Sequence, residues 1–443
     1  MFSIYLLPLL YSVAAEPVVE VEDVVTRYTS PNNGAGPLWC YGAPLLVRQG
    51  EIVFVSTMET GQDVPPLCNT RWQLFRRDEH VWQLCQHEAQ FLEREPCPLV
   101  GFANGKLFLS VNPLAEPSPQ NRGRCNPSLL QFDSAYPAAS PMLLAPAWSD
   151  GYRFTEHSYR GIAADGVNGE LLVLNIDSPT GDQFWSYRNA EGAWAAHGRI
   201  AFPIRSCYPQ VALNDRTGHV LAIGDIVEPV EAWRTYKHAQ TGRDWDYVFR
   251  RLFYSWTSDI SQHDFAAPIE LDNVDATAGY IRNLDLWIDA GGAAHVLYLK
   301  QSVQSALMRD RFFPAVPLTT SLEYCVLQDG AVTRRLTLLK GGEGESSEIP
   351  GNGRFHVAGD GQLFVVYYCS GRTPGGKSLS ENRLLQVPTD ANVPQPIRLG
   401  LKEPLHTFFT ATERGGSAPS DTIDLFGVGR ESSVLRYARI RLK

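Results

Sequence analysis

The chain has 443 residues, an apolar fraction of 44% and a formal net charge of -9. That size and composition supply a large core, and the acidic balance argues against wholesale binding to nucleic acid or to an anionic membrane. Arginine far outnumbers lysine, which points to directed contacts with carboxylates or hydroxyls more than to diffuse basicity.

The first stretch, IYLLPLLYSVAA from Ile4, is too short to span a bilayer, and its Val13-Ala14-Ala15 end suits a signal-peptide cleavage site. Residues 1–15 are therefore expected to be a leader and residues 16–443 one exported domain, secreted or periplasmic. No later segment reads as a membrane helix. Export permits disulfides among the 8 cysteines. Cys68-Asn69 and Cys125-Asn126 occupy matching places in successive repeats, so a bridge between them is the first one expected; buried free thiols are the alternative.

Residues Glu16 to Tyr28 contain VVEVEDVV, whose alternation suits a strand with one wet face. One hairpin pattern then recurs from Pro37, Arg94, Glu156, Ile204, Gly279, Pro350 and Glu403. Its clearest copy is EHSYRGIAADGVNGELLVLN from Glu156, where Gly166 and Asn168-Gly169 supply the turn. Behind each hairpin comes a more polar strand pair, from Thr70, Ser128, Gln183, Arg250, Leu322 and Asn382. The last repeat, from Ser433, has one such strand only, and Val18 to Val25 would supply its missing partner.

This pattern predicts an all-β fold, a seven-bladed β-propeller closed by an N-terminal strand pairing with the last blade. A two-domain sandwich does not explain why one hairpin recurs from end to end. No helix signal matches the strands in length. In a propeller, the link between second and third strands lies on the same face as the openings of the inner strands. The long second-to-third links are Thr57 to Leu67, Asn112 to Arg124, Asp225 to Asp246, Lys300 to Thr320 and Cys369 to Ser380. Long loops on one side of a rigid scaffold mark the ligand side.

Aligning the inner hairpins on Asp165, Asn214, Asp289 and Asp360 puts polar groups at the mouth of the central channel. Glu156, His157 and Tyr159 come from the third blade, Arg205 and Tyr208 from the fourth, Arg282 and Asn283 from the fifth, Arg354 from the sixth and His406 from the seventh. The first two blades add Trp39, Tyr41, Pro96 and Cys97. Convergent polar groups beside aromatics are the signature of a small-molecule or saccharide pocket.

Three arginines beside one cleft point to an anionic ligand; the competing reading pairs them with Glu156, Asp285 and Asp289. His157 can be a base near neutral pH with Tyr159 beside it and Tyr208 in the equivalent place one blade later, against a reading in which the histidine bonds backbone and the tyrosines pack. Trp39, Trp233 and Trp245 can stack on sugar faces, and the 225–246 loop is the expected lid. Asp165 and Asp289 read as turn residues. The chain has no Gly-x-Ser-x-Gly elbow, phosphate loop or His-Glu-x-x-His site. No cofactor is required, and a structural calcium ion is left open.

The chain resembles the BNR-repeat, sialidase-like propellers, and among them the seven-bladed polysaccharide lyases of the ulvan-lyase type. The resemblance rests on HSYR from His157, CYP from Cys207 and LFYSWTSDISQHDFAAPIEL from Leu252, a degenerate Asp-box with Thr257, Asp259, Ser261 and Phe265 in its key places. It implies β-elimination at a uronic acid. His157 would be base or charge neutraliser, Tyr208 base or acid with Tyr159 beside it, and Arg205 with Arg282 the carboxylate clamp. Asn283, Arg354, His406 and Trp39 would complete substrate binding. The expected partner is an anionic polysaccharide or oligosaccharide bound by a monomer; a sialidase-like hydrolase and a non-catalytic glycan- or protein-binding propeller are the alternatives.

Overall fold

The computed structural model describes residues 16–39, 42–78, 80–116, 118–373 and 375–443. The expected leader, Cys40 and Tyr41 lie outside these.

Seven four-stranded antiparallel sheets radiate around one axis, each beginning with an inner strand at a predicted hairpin. The inner strands are Leu46–Gln49, Leu99–Gly101, Gly161–Asp165, Ser206–Asn214, Tyr280–Ile288, Glu348–Val357 and Thr407–Thr410. The ring closes as the alternation near the N-terminus predicts: strand Val18–Arg27 pairs antiparallel with Val434–Arg441 and completes the seventh blade, Val18 opposite Arg441 and Arg27 opposite Val434.

Within a blade, the inner strands are buried on both faces by neighbouring blades, which is why they read as nearly continuous apolar runs. A recurrent diagonal pair adds polar stitching. In the third, fourth, fifth and seventh blades, a polar residue on the second strand meets a tyrosine hydroxyl on the third. The pairs are Glu170 and Tyr187 at 2.7 Å, His219 and Tyr254 at 2.6 Å, His295 and Tyr324 at 2.6 Å, and Asp424 and Tyr437 at 2.5 Å. In each case the tyrosine lies opposite the residue two places after its partner, so the pair is a property of the repeat.

Buried side chains join one blade to the next. Arg48 of the first blade holds Asp424 of the seventh through contacts of 2.5 and 2.6 Å. Arg160 of the third blade donates to the carbonyls of Pro96 and Ser110 in the second, at 2.9 and 2.8 Å. Near the axis, Arg414 donates to Asp285, to the Gly42 carbonyl and to Gln210, at 2.9, 2.6 and 3.0 Å. These contacts link four blades near the axis.

The second-to-third links carry more structure than expected. Helix α1 (Glu231–Thr241) and helix α2 (Ala306–Phe312) sit in the links of the fourth and fifth blades, where no helix was predicted. Their faces meet through Trp233 and Tyr236 against Phe312 and Phe313. In the sixth blade the expected long link is short, because its strands continue to Arg372 and resume at Ser378. The degenerate Asp-box forms a turn between third and fourth strands: Asp259 Oδ1 accepts from the Ser261 amide and hydroxyl, and Phe265 packs on Trp185.

Candidate functional site

On the long-loop face, a cavity of about 700 Å³ opens beside the channel axis. Its floor is an aromatic triangle of Trp39, Tyr159 and Tyr208, with ring centroids 5.1 to 5.2 Å apart. Arg94, His157 and Arg205 flank it, and the two inserted links supply the outer wall, with Lys237, Arg243, Trp245 and Tyr247 from the fourth blade.

Both floor tyrosines hold left-handed backbone, Tyr159 at φ 40° and Tyr208 at φ 52°. Bulky residues enter that region only where surrounding contacts force them, and such positions cluster at functional sites. For Tyr159 the force is Glu95, a buried carboxylate that accepts from the Tyr159 amide at 3.0 Å, the Ser158 amide at 3.1 Å and the Ser158 hydroxyl at 2.6 Å. For Tyr208 it is Asn283, whose amide donates to the Tyr208 carbonyl at 2.6 Å. A bulge between Cys207 and Gln210 accommodates the turn.

His157 is about one-third exposed, and its Nδ1 lies 3.4 Å from Glu156 Oε1. Burial works to raise the Glu156 pKa, but His157 and the Gly123 amide, 3.0 Å away, outweigh it and hold the carboxyl below its ordinary value. A charged Glu156 favours the proton on Nδ1 and leaves Nε2 as the basic nitrogen. Tyr159 is buried, and burial, with Cys207, Asp225 and Glu95 nearby, pushes its phenol well up despite a hydrogen bond with Arg205. It is a neutral phenol at physiological pH. Arg205 is itself partly buried, yet Asp225 and Tyr159 raise its pKa above the ordinary arginine value. Its guanidinium pairs with the Asp225 carboxylate and donates to the Asp225 carbonyl at 3.0 Å.

Trp39, His157, Tyr159, Arg205 and Tyr208 thus line one cavity. Asn283 is buried behind them and spends its amide on backbone. Arg282, on the inner strand of the fifth blade, lies outside this cavity's wall. Arg354, expected to bind substrate, is 1% exposed; it donates to the Phe408 carbonyl at 3.2 Å and stacks on Phe409, and burial, with repulsion from Arg414 and Arg282 offset by Asp285, lowers its pKa to about 9. His406 is exposed beside Tyr368 and Thr407, away from the cavity. Of the carboxylates offered as partners for the arginines, Glu156 serves His157 and Asp289 serves His295, while Asp285 pairs with Arg414 and also offsets the charge of Arg354.

Sequence reading missed Glu95, Asp225, Arg243 and Tyr247. Asp225 and Arg243 fall in the 225–246 link read as a lid and Tyr247 just beyond it, but Glu95 carried no signal, since its role depends on a neighbouring blade's backbone. Among the described residues, no carboxylate lies within ion-pair reach of Arg243, whereas Arg94 and Arg205 each have one and Lys237 has two.

No protein-family model matches this chain, and no curated protein matches it. Among solved structures, it is similar to the polysaccharide lyase Uly1, with a TM-score of 0.50 and 10% identity over 97% of this chain and 100% of that one. Weaker likenesses include a Trypanosoma rangeli sialidase (TM-score 0.39, 13% identity, 82% of this chain and 59% of that one) and the α-L-arabinofuranosidase arb93a from Fusarium graminearum (0.38, 10%, 78% and 91%). At such identities the likeness to Uly1 is one of fold.

The opposite mouth holds a larger cavity, about 1040 Å³, ringed by the hairpin turns. Asp165 and Asp289 cap those turns, as predicted, accepting from Asn168 and Gly291, and Asp360 likewise accepts from Gln362, at 2.8 to 3.0 Å. The smaller cavity is the one that gathers His157, Arg205 and the two tyrosines in left-handed backbone. Among the described residues, no three His, Cys, Asp or Glu side chains converge as a metal site, and no helix is long and apolar enough to cross a membrane. Cys68 and Cys125 do meet, in one buried cluster, as free thiols in direct contact.

Proposed function

We propose that this protein is an exported carbohydrate-active propeller that cleaves a uronate-containing anionic glycan by β-elimination. The observation that carries this reading is the convergence of His157, Arg205 and two tyrosines held in strained backbone around one cavity. The likeness of fold to a polysaccharide lyase is compatible with it.

In this mechanism Arg205 takes up part of the uronate carboxylate charge and so acidifies the C5 proton. Arg243, with no carboxylate of its own among the described residues, adds cationic field at the rim. His157, oriented by Glu156, accepts the C5 proton at Nε2. The electron pair forms the C4–C5 double bond as the C4–O glycosidic bond breaks, and the Tyr208 phenol donates its proton to the departing oxygen. The product pair is an unsaturated uronate and a new free hydroxyl end.

A hydrolase would need an available carboxylic acid beside the glycosidic oxygen. The cavity's aspartates, Asp225 and Asp246, are committed to Arg205 and Lys237, which favours elimination. The test is degradation of a panel of uronate polysaccharides, followed by the ultraviolet absorbance of unsaturated products. His157→Ala and Tyr208→Phe should each lower turnover by about 10²- to 10⁴-fold while remaining folded. Full turnover in either folded variant sinks the assignment; products without unsaturation indicate hydrolysis, and binding without products indicates a lectin-like role.

A further inference from the structure

One line of side chains runs from the cavity floor to its rim. The Arg205 guanidinium carbon lies 5.2 Å from the Tyr159 ring centroid and 5.9 Å from that of Tyr247, and the Tyr247 ring stands 4.6 Å from the Trp245 ring at 31°. Arg205 is bracketed between two aromatic rings, with its Nη1 held by Asp225. Beyond it the track continues along the aromatic rings of Tyr247 and Trp245, with Lys237 and Arg243 in the same wall.

Trp245 keeps 75% of its surface exposed. Its neighbour in the same insertion, Trp233, is spent differently: it packs against Phe313 at 5.4 Å and under Arg250 at 5.1 Å, and so anchors α1. The backbone presenting Trp245 is tied down at the next residue. The Asp246 carbonyl accepts from the Glu228 amide at 2.9 Å, and the Asp246 carboxylate accepts from Lys237 at 2.6 Å. Lys237 in turn donates to Glu228, which is held by Arg250. Tyr247 pairs with Val227 in a two-residue ribbon. An exposed indole on so braced a segment is a preorganised contact surface, with an apolar face and little ordering cost on binding.

We infer that Trp245 and Tyr247 form a second sugar subsite, so that the ligand is a linear oligosaccharide of at least two units, with the uronate at Arg205 and a pyranose C–H face against Trp245. This rests on the uronate-binding reading above. A free uronic acid would occupy the Arg205 end alone and gain nothing from the indole.

The experiment compares glucuronic acid with disaccharides and tetrasaccharides of hyaluronan, chondroitin and ulvan, by calorimetry and by quenching of tryptophan fluorescence. For the oligosaccharide that binds best, Trp245→Ala should weaken affinity about tenfold, with Trp245→Phe recovering most of it, while glucuronic acid binds both forms alike. Equal tetrasaccharide affinity in wild type and Trp245→Ala overturns the subsite and leaves the uronate reading standing. Failure of the wild type to bind any of the uronate probes overturns that reading and the subsite with it.

Discussion

Single residues set the tolerance of this ring to change. Gly416 has φ 84°, and a Cβ built there would lie 1.7 Å from the Gly101 carbonyl, so the seventh-blade link passes too close to the second blade for any side chain. Gly361 has the same φ and nothing within 4 Å. Gly361→Ala should cost about 1–2 kcal/mol from backbone strain alone, and Gly416→Ala distinctly more; urea titration of the two variants measures the difference. Histidines act through protonation. His219 and His356 are buried, and burial lowers their pKa values to about 3 and about 4. An unfolded histidine titrates near about 6.5, so between that pH and the folded values the unfolded chain binds more protons. Stability from these residues is complete above about pH 6.5 and falls as pH drops, by up to about 1.4 kcal/mol per unit per histidine. Glu93, Glu170 and Glu413, whose pKa values burial raises, act in the opposite sense at the acidic end. The comparison that isolates the histidines is denaturation at pH 7 and pH 5 of the wild type against a His219→Gln/His356→Gln double variant, which should lose less on acidification.

At the scale of elements, the links between second and third strands build the site, and they are braced by one another as much as by the blades. The link 61–69 of the first blade and the link 112–127 of the second are stitched by Cys68 N to the Asn121 carbonyl at 2.9 Å and by the Asn121 side chain to the Cys68 carbonyl at 2.7 Å. The Cys68 and Cys125 thiols meet inside that seam. The same second link donates the Gly123 amide to Glu156, the residue that orients His157. Incubation with oxidised glutathione should convert the two thiols to one disulfide, releasing two reduced glutathiones, and raise stability by about 2–4 kcal/mol. Peptide mapping after alkylation without reduction is the measurement; recovery of both cysteines alkylated means that the seam stays reduced. Helix α1 shows the same logic, since buried Glu228 fixes Lys237 and Arg250 together beneath it.

The whole molecule depends on closure. The strand Val18–Arg27 is the first described segment and completes the last blade, so the ring is locked by residues some 400 positions apart, as in the 2.6 Å contact of Arg27 with Glu431. Deleting residues 18–27 would expose the edge of Val434–Arg441 and uncover Val428, Leu435 and Tyr437. The expected outcome is a loss of about 4–5 kcal/mol or more, read by calorimetry, with partial recovery on adding the peptide VVEVEDVVTR; an unchanged melting temperature would mean that six blades and three strands suffice. Closure also explains the site, because the inner-strand openings of the third and fourth blades face one mouth only once the ring is complete.

Much of this was legible in the chain itself. A hairpin recurring at long intervals dictates radiating sheets, since each copy must bury its apolar faces against the next, and an unpaired final repeat dictates a clasp from the other end. His157, Tyr159, Arg205 and Tyr208 were readable as a cluster for the same reason: they open successive inner strands. The tertiary structure alone decided depth and partnership. Arg205 and Arg354 both read as arginines of an inner hairpin, yet Arg205 precedes its strand and reaches the cavity, whereas Arg354 lies within Glu348–Val357 and is sealed against Phe409. Glu95, unremarkable in the chain, fixes Tyr159 from the adjoining blade. Periodicity specifies which face of a strand a residue takes, whereas its exposure and its hydrogen-bond partners are set by what the neighbouring blade places beside it, and that neighbour is remote in sequence.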